Sequence, residues 1–181
     1  MRWQTEVLIS PLKDRITYKD DIIFIGSCFA AEIGAKMEEL RFRVVVNPFG
    51  VLFNPGSISS SLHRIQSCEL FAEDELIKAG DIYKSFSHGS EYASTSKEEF
   101  LSRNNSILKS VSNHYKSCRW VLLTLGTSWV YRERSSGKIV SNCHKLPHSF
   151  FERATMEVEE IVESLASAIE ANPDKRWIIT V

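Results

Sequence analysis

Ser27 is the residue whose type and position in this sequence best suit chemistry. It follows an apolar run at positions 22–25 and the glycine Gly26, and a helical pattern begins directly after it. The run predicts a buried strand, because consecutive apolar residues with high strand propensity fit a strand that is covered on both faces. A hydroxyl at this junction lies where the first free N–H groups of the helix converge, which suits a nucleophile that attacks a carbonyl.

Two other interpretations of this junction stay open on the residues alone. Serine is among the commonest helix N-caps, so Ser27 also fits a purely structural role. Cys28 is a second candidate nucleophile, because a helix N-terminus favours the reactive thiolate. Since residues of the first helical turn more often pack against the sheet, we expect a buried Cys28 thiol.

Two further apolar runs end in turns that contain glycine. The run at 44–46 leads into a loop with Asn47 and Gly50, and the run at 120–125 leads into Gly126 and Thr127. The carboxyl ends of parallel strands meet at one edge of an open sheet, where such sheets bind ligands. We therefore expect N–H groups and side-chain donors from these turns to surround Ser27, as the oxyanion hole of an acyl-transfer site requires.

A predicted β-hairpin brings a histidine into the same region. Strand-like runs at 129–133 and 138–141 flank a polar turn, and Asn142 and His144 follow the second run. His144 is the first candidate for a general base, since geometry decides such roles. The alternative is a histidine that only orients its loop.

The remaining pattern predicts an α/β protein. We expect helices at 57–67, capped by Ser57, at 97–115, and at 155–171, capped by Thr155. Residues 73–79 fit a short acidic helix or turn, residues 82–88 an irregular edge piece, and residues 176–181 a fourth parallel strand. Because later helices usually cover such a strand, the pattern predicts a chain that is truncated at its C-terminal side.

Composition excludes several classes of function. The 181 residues carry a formal net charge of −1, which gives no electrostatic footprint for nucleic acid. There is no apolar run long enough for a membrane span and no secretory signal, so we expect a cytoplasmic protein. Four dispersed cysteines without a CxxC pair, and no ligand spacing of His, Asp and Glu, predict neither zinc nor another metal. The turn at Gly26 lacks the nucleotide-binding fingerprints, so we expect no cofactor.

Several segments of the sequence resemble one known family. Residues 26–30 read Gly-Ser-Cys-Phe-Ala, the sequence that gives the GSCFA domain family its name. The segments at 47–50, 126–131 and 142–147 are also similar to that family. The resemblance runs from about Thr5 to the last residue. It therefore implies a single GSCFA domain over residues 1–181, with a core that begins at about residue 21.

The resemblance implies a fold and a chemistry, because the family belongs with the SGNH (GDSL-like) hydrolases. The implied fold is a three-layer α/β/α, flavodoxin-like parallel sheet, and the implied activity is that of a serine esterase or acyltransferase. Ser27 would be the nucleophile, and the N–H groups of Ser27 and Gly50 would stabilise the oxyanion. The SGNH pattern expects an asparagine after the third strand, whereas this chain has Thr127 there, so that Thr127 or Asn142 would supply the third donor.

The resemblance also implies a base that this chain lacks. SGNH proteins carry it in a DxxH segment near the C-terminus, and no such segment is present. We therefore expect little or no activity from these 181 residues, on a small or carbohydrate-linked acyl ester, unless His144 replaces the base. The alternative function is a non-catalytic ligand-binding or assembly module, in which the free edge of the fourth strand pairs two copies as a homodimer.

Overall fold

The computed structural model of the chain describes residues 13–181. The first part of the extended arm that the sequence predicts for residues 1–20 lies outside the described residues. The strands are β1 (Asp21–Gly26), β2 (Arg43–Val46), β3 (Leu76–Ala79), β4 (Ile82–Ser85), β5 (Trp120–Thr124), β6 (Trp129–Glu133), β7 (Ile139–Val140), β8 (Phe151–Thr155) and β9 (Arg176–Thr180). The helices are α1 (Cys28–Glu39), α2 (Pro55–Ser67), α3 (Lys97–Ser117) and α4 (Val158–Glu170).

The centre of the molecule is a parallel sheet with the strand order β2-β1-β5-β9. Numbered within this sheet, the order is 2-1-3-4, which is the order of the first four strands of a flavodoxin-like sheet. The chain moves to one side of β1 to form β2 and then crosses to the other side to form β5. The space between β1 and β5 is therefore the point at which such sheets open a crevice for a ligand.

Helices cover both faces of this sheet. Ile22 and Phe24 of β1 pack on α1, through Ala30 and its neighbours. The alternate residues Ile23 and Ile25 face the larger core, to which α2, α3 and α4 contribute buried side chains. The expected three-layer α/β/α fold is confirmed, and the alternation explains it, because successive side chains of a strand point to opposite faces.

The hairpin predicted after the third parallel strand is also confirmed. β6 pairs with β7 in antiparallel register, and β8 pairs with the other side of β6, a strand that the sequence pattern did not predict. The short acidic helix predicted within residues 73–79 is present as a 3₁₀ turn over Glu73–Glu75. Residues 76–79 instead form β3, which pairs with β4 in a second hairpin, so the prediction is wrong for that part and for the irregular edge at 82–88. In the sequence, Gly80 is the residue that indicates this hairpin, because glycine is common in two-residue hairpin turns. In the structure its φ of 64° fits the turn at 80–81.

Two helix caps differ from the predicted ones. α2 begins at Pro55, and the Oδ1 atom of Asn54 accepts a hydrogen bond from the Ser57 N–H at 2.7 Å. Proline at the first helical position has its φ fixed at a helical value, which explains the earlier start. α4 begins at Val158, and Thr155, the predicted cap, is the last residue of β8.

No helix within residues 13–181 is both long enough and apolar enough to cross a membrane.

Candidate functional site around Ser27

Ser27 stands at the N-cap position of α1, but its side chain does not cap the helix. The Oγ atom of Ser27 lies 2.9 Å from the Oγ1 atom of Thr124, the last residue of β5. Ser27 is buried, with 7% of its surface exposed. The capping role that the residues alone favoured is therefore not the role of this side chain. Its hydroxyl lies instead between β1 and β5, at the carboxyl end of the sheet.

Thr124 holds Ser27 in this position, a role that is not predicted from the sequence. The Ser27 N–H donates to both the carbonyl oxygen and the Oγ1 atom of Thr124, at 3.0 and 2.8 Å. Gly26 is paired with Thr124 in the sheet, and a Cβ atom at Gly26 would collide with the Thr124 carbonyl oxygen. A glycine is therefore required before the serine for the two strands to approach this closely. The signal in the sequence was the polar residue near the end of an apolar run.

The backbone N–H groups predicted as oxyanion donors all have internal acceptors. The Ser27 N–H is bonded to Thr124, as described. Gly50 donates to the Asn47 carbonyl oxygen at 2.9 Å, and Gly126 and Thr127 donate to the Phe53 carbonyl oxygen at 2.8 and 3.1 Å. In this arrangement these donors hold the loops in place, so their role toward an oxyanion stays a prediction.

The N-terminal turn of α1 offers free donors beside Ser27. Within residues 13–181, the N–H groups of Cys28, Phe29 and Ala30 have no hydrogen-bond partner, as expected at a helix start. The prediction that the Cys28 thiol is buried is wrong: Cys28 is exposed, and Ala30 and Gly34 are the buried residues of this helix. A Cβ atom at Gly34 would collide with the Val46 side chain, which shows how closely α1 lies on β2.

Asn47 joins the second loop to the first. Its Oδ1 atom accepts the Gly26 N–H at 2.8 Å, and its backbone has a positive φ of 43°. Its Nδ2 atom is buried and has no partner in the part of the chain that the structure describes. The Leu52 N–H donates to the Gly26 carbonyl oxygen at 2.8 Å, so the loop is fixed to the end of β1. Asn47 thus supports the Ser27 turn, and within residues 13–181 its Nδ2 atom is a side-chain donor there without an acceptor.

His144 is buried, but its ring contacts other residues than Ser27. The Nε2 atom of His144 lies 2.8 Å from the Ser85 carbonyl oxygen, and the Nδ1 atom lies 3.4 Å from the Ser90 Oγ atom. Burial lowers the pKa of His144, and the contact with the Ser85 carbonyl partly offsets this. Among the described residues, no hydrogen bond joins His144 to Ser27. Its assignment as the base for Ser27 stays a prediction.

The two candidates for a third oxyanion donor also have local partners. Asn142 accepts the His144 N–H at its Oδ1 atom, at 2.8 Å, and donates from Nδ2 to the Ser90 Oγ atom at 3.3 Å. The Oγ1 atom of Thr127 accepts the Trp129 N–H at 3.1 Å, which fixes the start of β6. Neither side chain forms a hydrogen bond with Ser27 in the described part of the chain.

A second buried histidine lies behind the Asn47–Gly50 loop. His88 is fully buried, and the rings of Phe49, Phe71, Tyr92 and Phe100 lie 4.4–5.5 Å from it, between centroids. Neither ring nitrogen has a partner within residues 13–181. Burial, followed by the charges of Arg64, His144 and Arg103, lowers the pKa of His88 to about 3. The ring is therefore neutral at pH 7.

Within the described residues, no three His, Cys, Asp or Glu side chains form a group that could hold a metal ion.

Comparison with known proteins gives one match. A family model described as the GSCFA family matches residues 21–181. No curated protein matches the chain, and no solved structure matches it.

Proposed function

The chain belongs to the GSCFA family, and on that basis we propose that it is a serine ester hydrolase or acyltransferase of the SGNH-like type. The proposed substrate is a small or carbohydrate-linked acyl ester. The observation that carries the proposal is the Ser27 hydroxyl, which stands at a helix N-terminus without capping it. It lies at the carboxyl end of the sheet, between the strands where the order reverses, which is where open α/β sheets bind ligands.

In the proposed reaction, Ser27 attacks the ester carbonyl and Thr124 positions it. The Thr124 hydroxyl contacts the Ser27 Oγ atom at 2.9 Å and has no basic group of its own, so it orients the nucleophile without taking its proton. Within the described residues, the N–H groups of Cys28, Phe29 and Ala30 have no partner and form the positive end of the α1 dipole. In the proposed reaction they stabilise the negative charge that develops on the carbonyl oxygen. They supplement the N–H groups of Ser27 and Gly50, each of which would have to divide its hydrogen bond between its present acceptor and the oxyanion.

Two exposed aromatic side chains lie on segments that adjoin the Ser27 turn and the end of β5. Phe29 directly follows the Ser27 turn and is 52% exposed, and Phe53 is 49% exposed. Phe53 lies against Gly126, at the carboxyl end of β5, and its carbonyl oxygen accepts the Gly126 N–H. Exposed aromatic side chains on these two segments can bury part of an acyl chain.

Turnover by these 181 residues is expected to be low. Thr124 is the one described side chain within hydrogen-bond distance of the Ser27 Oγ atom, and an alcohol is not a general base at neutral pH. To act as the general base for Ser27, the His144 ring would have to break its contacts with the Ser85 carbonyl oxygen and the Ser90 Oγ atom.

A fluorophosphonate probe tests the proposal, because it phosphonylates an activated serine with release of fluoride. The probe is applied to this chain and to any longer product of the same reading frame, and the modified peptide is mapped by mass spectrometry. We expect phosphonylation of Ser27, strongest in the form that supplies the base, and its loss in Ser27→Ala. Ser128→Ala, a partly buried serine after β5, is the matched control and should not change the labelling.

An unmodified Ser27 in every form, together with no hydrolysis of p-nitrophenyl acetate or of an acetylated sugar, would refute the hydrolase proposal.

The second candidate function is ligand binding without catalysis, which a separate cavity favours. A cavity of about 490 Å³ is lined by hydroxyl, aromatic and charged side chains that include Ser57, Ser61, Arg64, Phe71 and Lys138. Ser57 and Ser61 are buried, and their Oγ atoms have no partner within residues 13–181. The mixture of hydroxyls and an aromatic ring suits a small polyhydroxylated ligand. Saccharide binding that Ser27→Ala retains, with no esterase activity in any form, would favour this candidate over the first.

A further inference from the structure

Ser90 and His144 form a serine–histidine pair that is separate from Ser27. The Ser90 Oγ atom lies 3.4 Å from the His144 Nδ1 atom, across 54 residues of sequence. Ser90 begins the 3₁₀-helical turn Ser90–Tyr92 and is exposed, whereas only 5% of the His144 surface is exposed. A reactive hydroxyl needs this combination, because it must meet a substrate while the imidazole next to it is protected from water.

The Ser85 carbonyl fixes which nitrogen of His144 can accept a proton. A carbonyl oxygen can only accept a hydrogen bond, so the Nε2 atom, 2.8 Å from it, carries the hydrogen. In the neutral imidazole, the lone pair then lies on Nδ1, the atom that faces Ser90. The carbonyl thus occupies the position of the group that orients the histidine in a serine–histidine triad.

Asn142 holds both members of the pair in place. Its Oδ1 atom accepts the His144 N–H and its Nδ2 atom donates to the Ser90 Oγ atom. His144 and Lys145 both have a positive φ, of 52° and 61°, at the centre of a turn that the Leu146 N–H closes on the Cys143 carbonyl oxygen at 3.0 Å. This turn fixes the backbone position of His144.

Aromatic and charged groups from neighbouring segments influence the imidazole, and the charge of His144 in turn lowers the pKa of the buried His88. The Phe86 ring lies 6.4 Å from it, nearly parallel. The charge of Lys84 lowers the pKa of His144 and that of Glu91 raises it, after burial as the largest influence. The Glu91 carboxylate lies against Gly89, next to Ser90. It is therefore placed to stabilise the positive charge that His144 would gain on taking a proton.

A second serine–histidine contact in the same molecule shows what is particular to this pair. The Ser167 Oγ atom lies 3.3 Å from the Nε2 atom of His63, and both residues are exposed. The other ring nitrogen of His63 has no partner in residues 13–181. Distance alone is thus similar in the two pairs, whereas burial and a fixed tautomer belong to His144.

We propose that Ser90 is a second nucleophilic serine of this protein, for which His144 is the general base, and that it accepts an acyl group from an activated ester. The Ser90 Oγ atom forms a bond to the ester carbonyl carbon while its proton passes to His144 Nδ1. The bond from that carbon to the alcohol oxygen then breaks, and the leaving alcohol takes the proton from His144. The products are acyl-Ser90 and the free alcohol. The inference does not require a reaction at Ser27, but it assigns His144 to Ser90 instead of Ser27.

The test is acetylation of the protein by p-nitrophenyl acetate, followed by peptide mapping. We expect an acetyl group on Ser90, lost in Ser90→Ala and formed at least about tenfold more slowly in His144→Gln, since a general base contributes a factor of that order or more. Ser27→Ala should leave the acetylation of Ser90 unchanged. The Ser27 peptide reports on the proposed function and the Ser90 peptide on this inference, so either can fail alone.

Ser167 is the matched control within the same sample, and its peptide should stay unmodified. Circular dichroism shows whether His144→Gln is folded, and the pH profile of the unaltered protein gives a readout that needs no variant. The rate at Ser90 should rise as His144 loses its proton and reach a plateau, with a midpoint below the ordinary histidine value of 6.5. Absence of acetyl-Ser90, equal acetylation of Ser167, or a rate that His144→Gln does not change would each overturn the proposal.

Discussion

Thr124 is the residue that decides how the Ser27 hydroxyl is presented. Its Oγ1 atom accepts the Ser27 N–H and contacts the Ser27 Oγ atom, and its side chain is buried. Both contacts join residues that are 97 positions apart in the chain. The orientation of the candidate nucleophile therefore depends on the pairing of two strands as much as on its own turn.

Thr124→Val tests this dependence, because valine keeps the shape and removes the hydroxyl. The Ser27 hydroxyl would lose its partner in a buried position, so we expect the free energy of unfolding to fall by about 1–2 kcal/mol. Phosphonylation of Ser27 should slow at the same time. Urea denaturation and probe labelling measure the two effects. Thr180→Val, the residue paired with Thr124 on β9, is the control and should change the labelling rate little.

His88 should make the stability of the protein depend on pH. Its pKa is about 3 in the folded chain against an ordinary value of 6.5, so below pH 6.5 the unfolded chain binds more protons. The stabilisation is complete above pH 6.5 and is lost as the pH falls from 6.5 toward 3. From pH 7 to pH 5 this loss amounts to roughly 2 kcal/mol.

His88→Phe should remove this loss, because phenylalanine keeps an aromatic ring among the four others and carries no ionisable group. The measurement is the free energy of unfolding of the variant minus that of the unaltered protein, from urea denaturation at several pH values. That difference should grow by roughly 2 kcal/mol from pH 7 to pH 5 in favour of the variant. Other titrating groups contribute to both proteins and cancel. If the free energies of unfolding of the two proteins changed in parallel with pH, His88 would bind protons equally in the folded and unfolded chains, and the prediction would be wrong.

At the scale of elements, α2 has two candidate N-caps: Asn54, which caps the helix in the structure, and Ser57, which the sequence pattern predicts. We expect Asn54→Ala to lower the free energy of unfolding by about 1 kcal/mol, because the Ser57 N–H loses its acceptor at 2.7 Å. Ser57→Ala should cost less, since the Ser57 Oγ atom has no partner among residues 13–181. Urea denaturation of both variants measures the difference, and Asn54→Asp, which keeps an acceptor oxygen, should restore stability. Equal losses in the two alanine variants would contradict the assignment.

At the scale of the whole molecule, the sequence predicts the frame well and the contacts of the site poorly. The parallel sheet follows from apolar runs such as residues 22–25, and the β6–β7 hairpin from a polar turn between two strand-like runs, because both signals are local. The β3–β4 hairpin was missed because its strands are only four residues long and mostly half-buried, which leaves no clear alternation. The partner of Ser27 is set by the register of β1 on β5, and that of His144 by loops 54 residues apart. No pattern within a short stretch of sequence contains such information.

The hydrogen bond between Ser27 and Thr124 can form only when β1 and β5 pair in the correct register. A slip of one residue between β1 and β5 would place Leu123 or Leu125 opposite Gly26, and would exchange the two faces of the slipped strand. A chain misaligned in this way would keep much of its secondary structure but lose the contact at Ser27. During refolding, the return of that contact would mark the moment at which distant parts of the chain are correctly aligned, later than the formation of the helices. Placement of the Ser27 hydroxyl and correct pairing of β1 with β5 are then the same event.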